Sequence, residues 1–200
     1  MPTMSRLQSA FCRSASWRAF ARRIVLPWAL QGFRPRGDVL EIGAGSGAMA
    51  AELLAMYPDV RLTVTDFDDE MVEVASTRLL PFGDRVTARQ ADATALPFPD
   101  DTFDVVLSWV MLHHTVEWEK ALAEAIRVLR PGGRLVGYDL LSTPPLRILH
   151  PASDHSHRMI HLSELRDAPR DLPVDHARVK PSLAGLTARF TFQKGFTPTG

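Results

Sequence analysis

The sequence predicts an α/β fold: a doubly wound, mostly parallel seven-stranded sheet with helices on both faces and an antiparallel last strand. Three observations predict it. Short apolar runs alternate along the chain with segments of helical spacing. The first run, VLEIGAGSG (residues 39–47), passes through a glycine turn into an Ala- and Leu-rich helix. The C-terminal stretch LTARFTFQK alternates apolar and polar residues, as an antiparallel strand does.

The elements follow in order. Val39, Leu40 and Ile42 suit a buried parallel strand. Gly43, Gly45 and Gly47 then allow a sharp turn and close approach of a ligand to the main chain. The helix start beyond them offers amide hydrogens that have no partner within the helix. Met49, Ala50, Leu53, Leu54 and Tyr57 carry that helix until Pro58 stops it. Val60, Leu62 and Val64 alternate with polar residues in a second strand that ends at Asp66. Met71, Val72, Ala75 and Leu79 share one face of a helix over residues 69–80, with Asp68 as its N-cap. A third strand, Arg85 to Gln90, leads to Asp92, and the turn-rich LPFPDDT leads to a fourth, FDVVLSWV. A helix over 117–130 is expected to end at Pro131-Gly132-Gly133, before a fifth strand RLVGYDL. Three prolines (144, 145, 151) exclude long regular structure from Ser142 to Leu162. A short helix from Ser163 and two strands turning around Ser182 to Gly185 complete one domain, residues 37–200.

Composition narrows the function. The formal net charge is +0, which argues against nucleic acid or an acidic membrane as a partner. Cys12 is the single cysteine, so an intrachain disulfide or a cysteine-based zinc site is excluded. No apolar run is long enough to span a bilayer, and a cytoplasmic protein is expected. Residues 1–36 hold seven arginines and no Asp or Glu, a composition shared with organelle transit peptides. Trp17, Phe20, Ala21, Ile24, Val25, Trp28 and Ala29 nevertheless form one helical stripe. That stripe favours a helical cap that packs on the domain and covers its ligand site, with Pro27 kinking or ending the helix.

VLEIGAGSG, TVTDFDDEM, ADATALPFPDDTFDVVLSWVMLHH and ALAEAIRVLRPGGRLVGYDL, in this order and spacing, resemble the class I S-adenosylmethionine-dependent methyltransferases. The likeness is to the small-molecule group that includes ubiquinone/menaquinone C-methyltransferases. It covers residues 37 to 141 and, more weakly, the chain to 194. It implies a Rossmann-like sheet with S-adenosyl-L-methionine as cofactor, S-adenosyl-L-homocysteine as product and a small-molecule acceptor methylated on oxygen or carbon. The turn Gly43, Ala44, Gly45 and Gly47 would then lie against the methionine and ribose. Glu41 would accept from the ligand ammonium or a water, and Asp66 from the ribose hydroxyls. Phe67 would cover the adenine, Asp92 would accept its exocyclic amine, and the Ala93 amide would face the ring. Backbone near Ser108 would hold the methionine end. His113 is the candidate base.

Single residues also have plainer roles. Asp beside a turn commonly caps it, and Phe67 suits core packing. Glu41 needs a partner, because a buried strand-end carboxylate is costly alone. GAGSGA also fits a dinucleotide fingerprint, but Glu41 would set negative charge near a pyrophosphate, and Asp92 and LPFPDDTFD have no part in that scheme. A non-catalytic cofactor-binding regulator is the remaining alternative. The segment 142–162 reads as a short lid, in which Arg147 and Arg158 would recognise a polar or anionic acceptor. Its histidines (150, 155, 157, 161), with Asp154, suit a solvated loop better than a metal site, and no metal is expected. SELRDAPRDLP departs from the family's apolar helix, leaving an acceptor pocket that is open or completed by a second subunit, as in a homodimer.

Overall fold

The computed structural model describes residues 19–144 and 158–196. Seven strands form one sheet: β1 (Gly37–Ile42), β2 (Val60–Asp66), β3 (Val86–Gln90), β4 (Phe103–Trp109), β5 (Leu129–Leu140), β6 (Val174–Ser182) and β7 (Thr187–Lys194). Their order is β3-β2-β1-β4-β5-β7-β6. The pairs from β3 to β5 are parallel, and β7 is antiparallel to both of its neighbours. The expected doubly wound sheet is therefore present. The chain runs outward from β1 to β3, then returns to β4 on the other side of β1. Such a reversal opens a crevice beyond the carboxyl ends of the strands.

Alternating side chains give the sheet two apolar faces. Leu40, Ile42, Val106, Leu135, Phe190 and Phe192 meet α4 (Trp118–Arg127) through Trp118, Ala121, Leu122, Ala125 and Ile126, all fully buried. That i, i+3, i+4 stripe is why this segment is helical and which face it buries. Val39, Val105, Leu107 and Val136 meet α1 (Leu26–Leu30), α2 (Ala48–Met56) and α3 (Asp69–Leu79) on the other face. Each large side chain so buried contributes about 1.5–3 kcal/mol. Gly137 is required where it stands, because a β-carbon there would meet the Phe190 ring and the Ser108 carbonyl.

The N-terminal helix absorbs Pro27 without ending. A π-helical turn, Ala21–Val25, precedes α1, and the Leu26 amide donates to the Ala21 carbonyl. The wider turn accommodates the proline ring, which would clash in a regular helix. Trp28 of α1 stacks edge-on against Tyr138, 5.0 Å between ring centroids, and donates to Ser182 Oγ at 3.3 Å. Trp17 and Cys12 lie outside the described residues.

Two boundaries differ from expectation. Helix α4 ends at Arg127, before Pro131, and Pro131-Gly132-Gly133 lies within β5. The register shifts there: Phe103 pairs with Leu129 and Val105 with Arg134, so the Pro-Gly-Gly segment is looped out of the ladder. The 97–101 turn is held from below by Arg127, which donates to the Phe98 and Leu96 carbonyls at 2.9 and 3.0 Å and pairs with Glu124 and Asp100. α5 (Leu162–Asp167) stands in place of the short helix read from Ser163. Among the described residues, no helix is long and apolar enough to cross a membrane.

Candidate ligand-binding site

A pocket of about 570 Å³ opens at the β1/β4 crevice, beyond the carboxyl ends of the parallel strands. Its walls come from the turns after β1, β2, β3 and β4. Gly43, Gly45, Asp66, Phe67, Asp92 and Ala93, all predicted from sequence, line it. Glu41, Ala44, Gly47, Ser108 and His113 do not, and stand behind or beside its wall.

The glycine turn is fitted to its neighbours. Gly43 has φ +63°, and a β-carbon there would occupy the place of the Met111 side chain, another lining residue. The Ala44 amide donates to the Thr65 carbonyl at 2.9 Å, and the Gly45 amide to Asp66 Oδ2 at 2.7 Å. Gly47 takes φ +71° as the N-cap of α2. The β1 turn is thus tied to the tip of β2. Asp66 Oδ1 accepts the Asp68 amide at 3.0 Å, and Asp68 caps α3 by accepting from the Glu70 amide at 2.9 Å. Asp92 Oδ1 accepts the amide and hydroxyl of Thr94, both at 2.8 Å. Phe67, which follows Asp66, has 58% of its surface exposed, so it does not pack in the core.

Beneath the turn, Glu41 is 1% exposed and its Oε2 has no hydrogen-bond partner among the described residues. Burial pushes its carboxyl up to about 8. Ser108, which pairs with Ile42 across β1 and β4, is fully buried and its hydroxyl is also unpartnered among the described residues. Tyr138, also next to Glu41, is raised to about 12, by burial first and then by Asp139 and Glu41.

The histidines divide. His113 is 2% exposed, and its Nδ1 lies 2.5 Å from Oδ1 of the fully buried Asp139. Asp139 also accepts the Leu112 and Leu140 amides at 2.7 Å each. His114 lines the pocket, with its ring centroid 4.0 Å from that of His113. Arg158 is drawn away, paired with Glu119 at 2.7 Å and Glu164 at 3.1 Å. Arg147, His150, Asp154, His155 and His157 lie outside the described residues. None of the described residues before Gly37 lines the pocket.

The sequence reading missed Val110, Met111, His114 and Glu117 as lining residues, and Asp139 as the partner of His113. For Asp139 a signal existed: like Asp66, it is an acid at the end of an apolar strand. Val110, a β-branched residue at φ +53°, gave none.

The pocket's charge decides what it can hold. Asp66, Asp68, Asp92 and Glu117 line it, and among the described residues no lysine or arginine does. A pyrophosphate would be repelled there, while hydroxyls, amines and cations would be favoured. Residues 39–133 match the methyltransferase domain family. Over these residues the chain carries a methyltransferase domain. A demethylmenaquinone methyltransferase of Clavibacter sepedonicus is 41% identical over 69% of this chain and 52% of its own length. The 27-O-demethylrifamycin SV methyltransferase of Amycolatopsis mediterranei is 41% identical over 54% of this chain and 40% of its own. The chain spans about half the length of the curated relatives it matches. The crystal structure of YcgJ from Bacillus subtilis, 24% identical, superposes with a TM-score of 0.69 over 90% of this chain and 100% of that one. This likeness is one of fold, and it extends beyond residue 133.

Proposed function

We propose that the protein transfers a methyl group from S-adenosyl-L-methionine to oxygen or carbon of a small-molecule acceptor. The observation that carries this reading is the all-acidic rim, set at the ends of successive strands around the exposed Phe67. The residues present fit the cofactor. Asp66 retains acceptor capacity for ribose hydroxyls, Asp92 and the Ala93 amide suit the adenine edge, and Phe67 suits its face. The buried Glu41 oxygen and the Ser108 strand end suit the amino-acid end. When bound, S-adenosyl-L-methionine supplies an electrophilic methyl on a sulfonium.

The chain's own work is to align the acceptor, exclude water and remove a proton. His113 is proposed as the base. Donation of Nδ1–H to Asp139 fixes the tautomer in which Nε2 is the proton-accepting nitrogen. His114 is the acceptor-facing wall.

The test is calorimetry with S-adenosylhomocysteine, followed by incubation of the protein and labelled S-adenosylmethionine with cell extract. Binding at micromolar concentration and a labelled small product are expected. Binding without any labelled product would mark a non-catalytic binding protein, and binding of reduced dinucleotide instead would overturn the reading.

A further inference from the structure

A second concavity has the opposite charge. It is a groove of about 640 Å³ and shares no residue with the acidic pocket. It lies toward the other end of the strands: Arg134 enters β5 opposite Val105, whereas the acidic pocket follows the exit of β4 after Trp109. Gln31 and Arg34, on the turn after α1, line it together with Arg134, His176, Arg178 and Gln193. Arg134 pairs across strands with Gln193, Gln193 with His176, and Thr191 with Arg178, so these side chains stand on one face of the sheet. The Arg134 guanidinium sits over the Phe33 ring, 5.2 Å from its centroid, which holds it in place.

Among the described residues no carboxylate lines this groove. Elsewhere Arg127, Arg130 and Arg158 each bridge two carboxylates. Among the described residues Arg34, Arg134 and Arg178 have none. The whole chain balances 23 basic against 23 acidic residues, so this is a local segregation of charge. Like charges gathered in one concavity repel, and an anion that enters removes the repulsion.

We infer that this groove binds the phosphate group of a soluble small molecule, at a site separate from the methyltransferase pocket. Guanidinium forks match the oxygens of a tetrahedral oxyanion, and arginines from three separate segments line the one concavity. Gln31, Thr191 and Gln193 supply neutral donors for the remaining oxygens. A concavity of about 640 Å³ has the size of a site for one small ligand. The inference does not depend on the methyl-transfer reading.

Calorimetry on the full chain, in chloride at fixed ionic strength, tests it with two probes: inorganic pyrophosphate and glycerol phosphate. Saturable binding of at least one probe with a Kd of about 1 mM or below is expected. Arg134→Gln and Arg178→Gln should each weaken it by about tenfold, while S-adenosylhomocysteine affinity stays unchanged. Arg178 is exposed on β6, so its variant remains informative if loss of the Arg134–Phe33 stack unfolds the first. Three results would overturn the inference. One is no saturable heat from either probe, and another is undiminished affinity in Arg178→Gln. The third is binding to phosphatidylglycerol vesicles or duplex RNA while both soluble probes fail.

Discussion

Asp139 Oδ1 lies 2.5 Å from His113 Nδ1, and the same carboxylate is anchored by the Leu112 and Leu140 amides at 2.7 Å. The end of β5 therefore fixes the ring that follows β4. If His113 is the base, Asp139→Asn should lower kcat by about a hundredfold, the scale of positioned proton transfer, and leave S-adenosylhomocysteine affinity within about threefold. His113→Gln should do the same. His114→Gln, on the pocket wall, should raise the acceptor KM with a smaller effect on kcat. Full turnover in His113→Gln would remove the base from this position.

Glu41 yields a pH prediction. Its carboxyl sits at about 8 in the fold, above the ordinary 4.5, because burial penalises its charge. Between these values the folded chain holds a proton that the unfolded chain has released. Its contribution to stability is complete below about pH 4.5 and is lost as pH rises through about 8. Urea midpoints of the unliganded protein should fall across that window, and Glu41→Gln, which copies the protonated form, should flatten the fall. A cation brought to Glu41 favours the carboxylate. Cofactor binding near neutral pH should therefore release a proton, seen as a binding heat that varies with the ionisation heat of the buffer.

Asp66 joins two turns and still offers acceptor capacity to the pocket, so its replacements should separate by chemistry. Asp66→Asn keeps one acceptor oxygen and should weaken S-adenosylhomocysteine about tenfold. Asp66→Ala should weaken it about a hundredfold, since charge-assisted hydrogen bonds contribute about 1.5–3 kcal/mol. The Ala variant also strands the Gly45 amide, so its thermal midpoint should fall further than that of Asp66→Asn. Equal affinities in both variants would mean that the carboxylate does not touch the ligand.

The strands and the acidic tips were legible because each depends on local pattern: apolar runs for burial, and glycine or Asp where a strand must turn. The pocket-lining positions Gly43, Gly45, Asp66 and Asp92 follow from that pattern, whereas Phe67 and Ala93 are implied by the resemblance to the methyltransferase family. What was not legible depends on distant partners. The looped-out Pro131-Gly132-Gly133 is set by the register between β4 and β5, and proline and glycine close to a helix look the same whether they end it or follow it. Asp139 meets His113 only because strands 26 residues apart are neighbours in the sheet. Which of two adjacent histidines faces the pocket depends on a three-residue 3₁₀ turn, Leu112–His114, whose phase no sequence period reports.

Gly43 and Met111 give a test of how closely the pocket is built. At φ +63° a side chain is strained, and a β-carbon on Gly43 would overlap Cγ and Cβ of Met111. Gly43→Ala should therefore cost about 1–3 kcal/mol of stability from overpacking and weaken S-adenosylhomocysteine binding as the turn shifts. Shortening Met111 should restore part of that loss. In the cycle of Gly43→Ala, Met111→Ala and the double variant, the coupling should be favourable by about 0.5–3 kcal/mol. If the two effects simply add, the glycine is needed for its backbone angle alone. If they couple, it is also needed for the space that the Met111 side chain fills at the pocket wall.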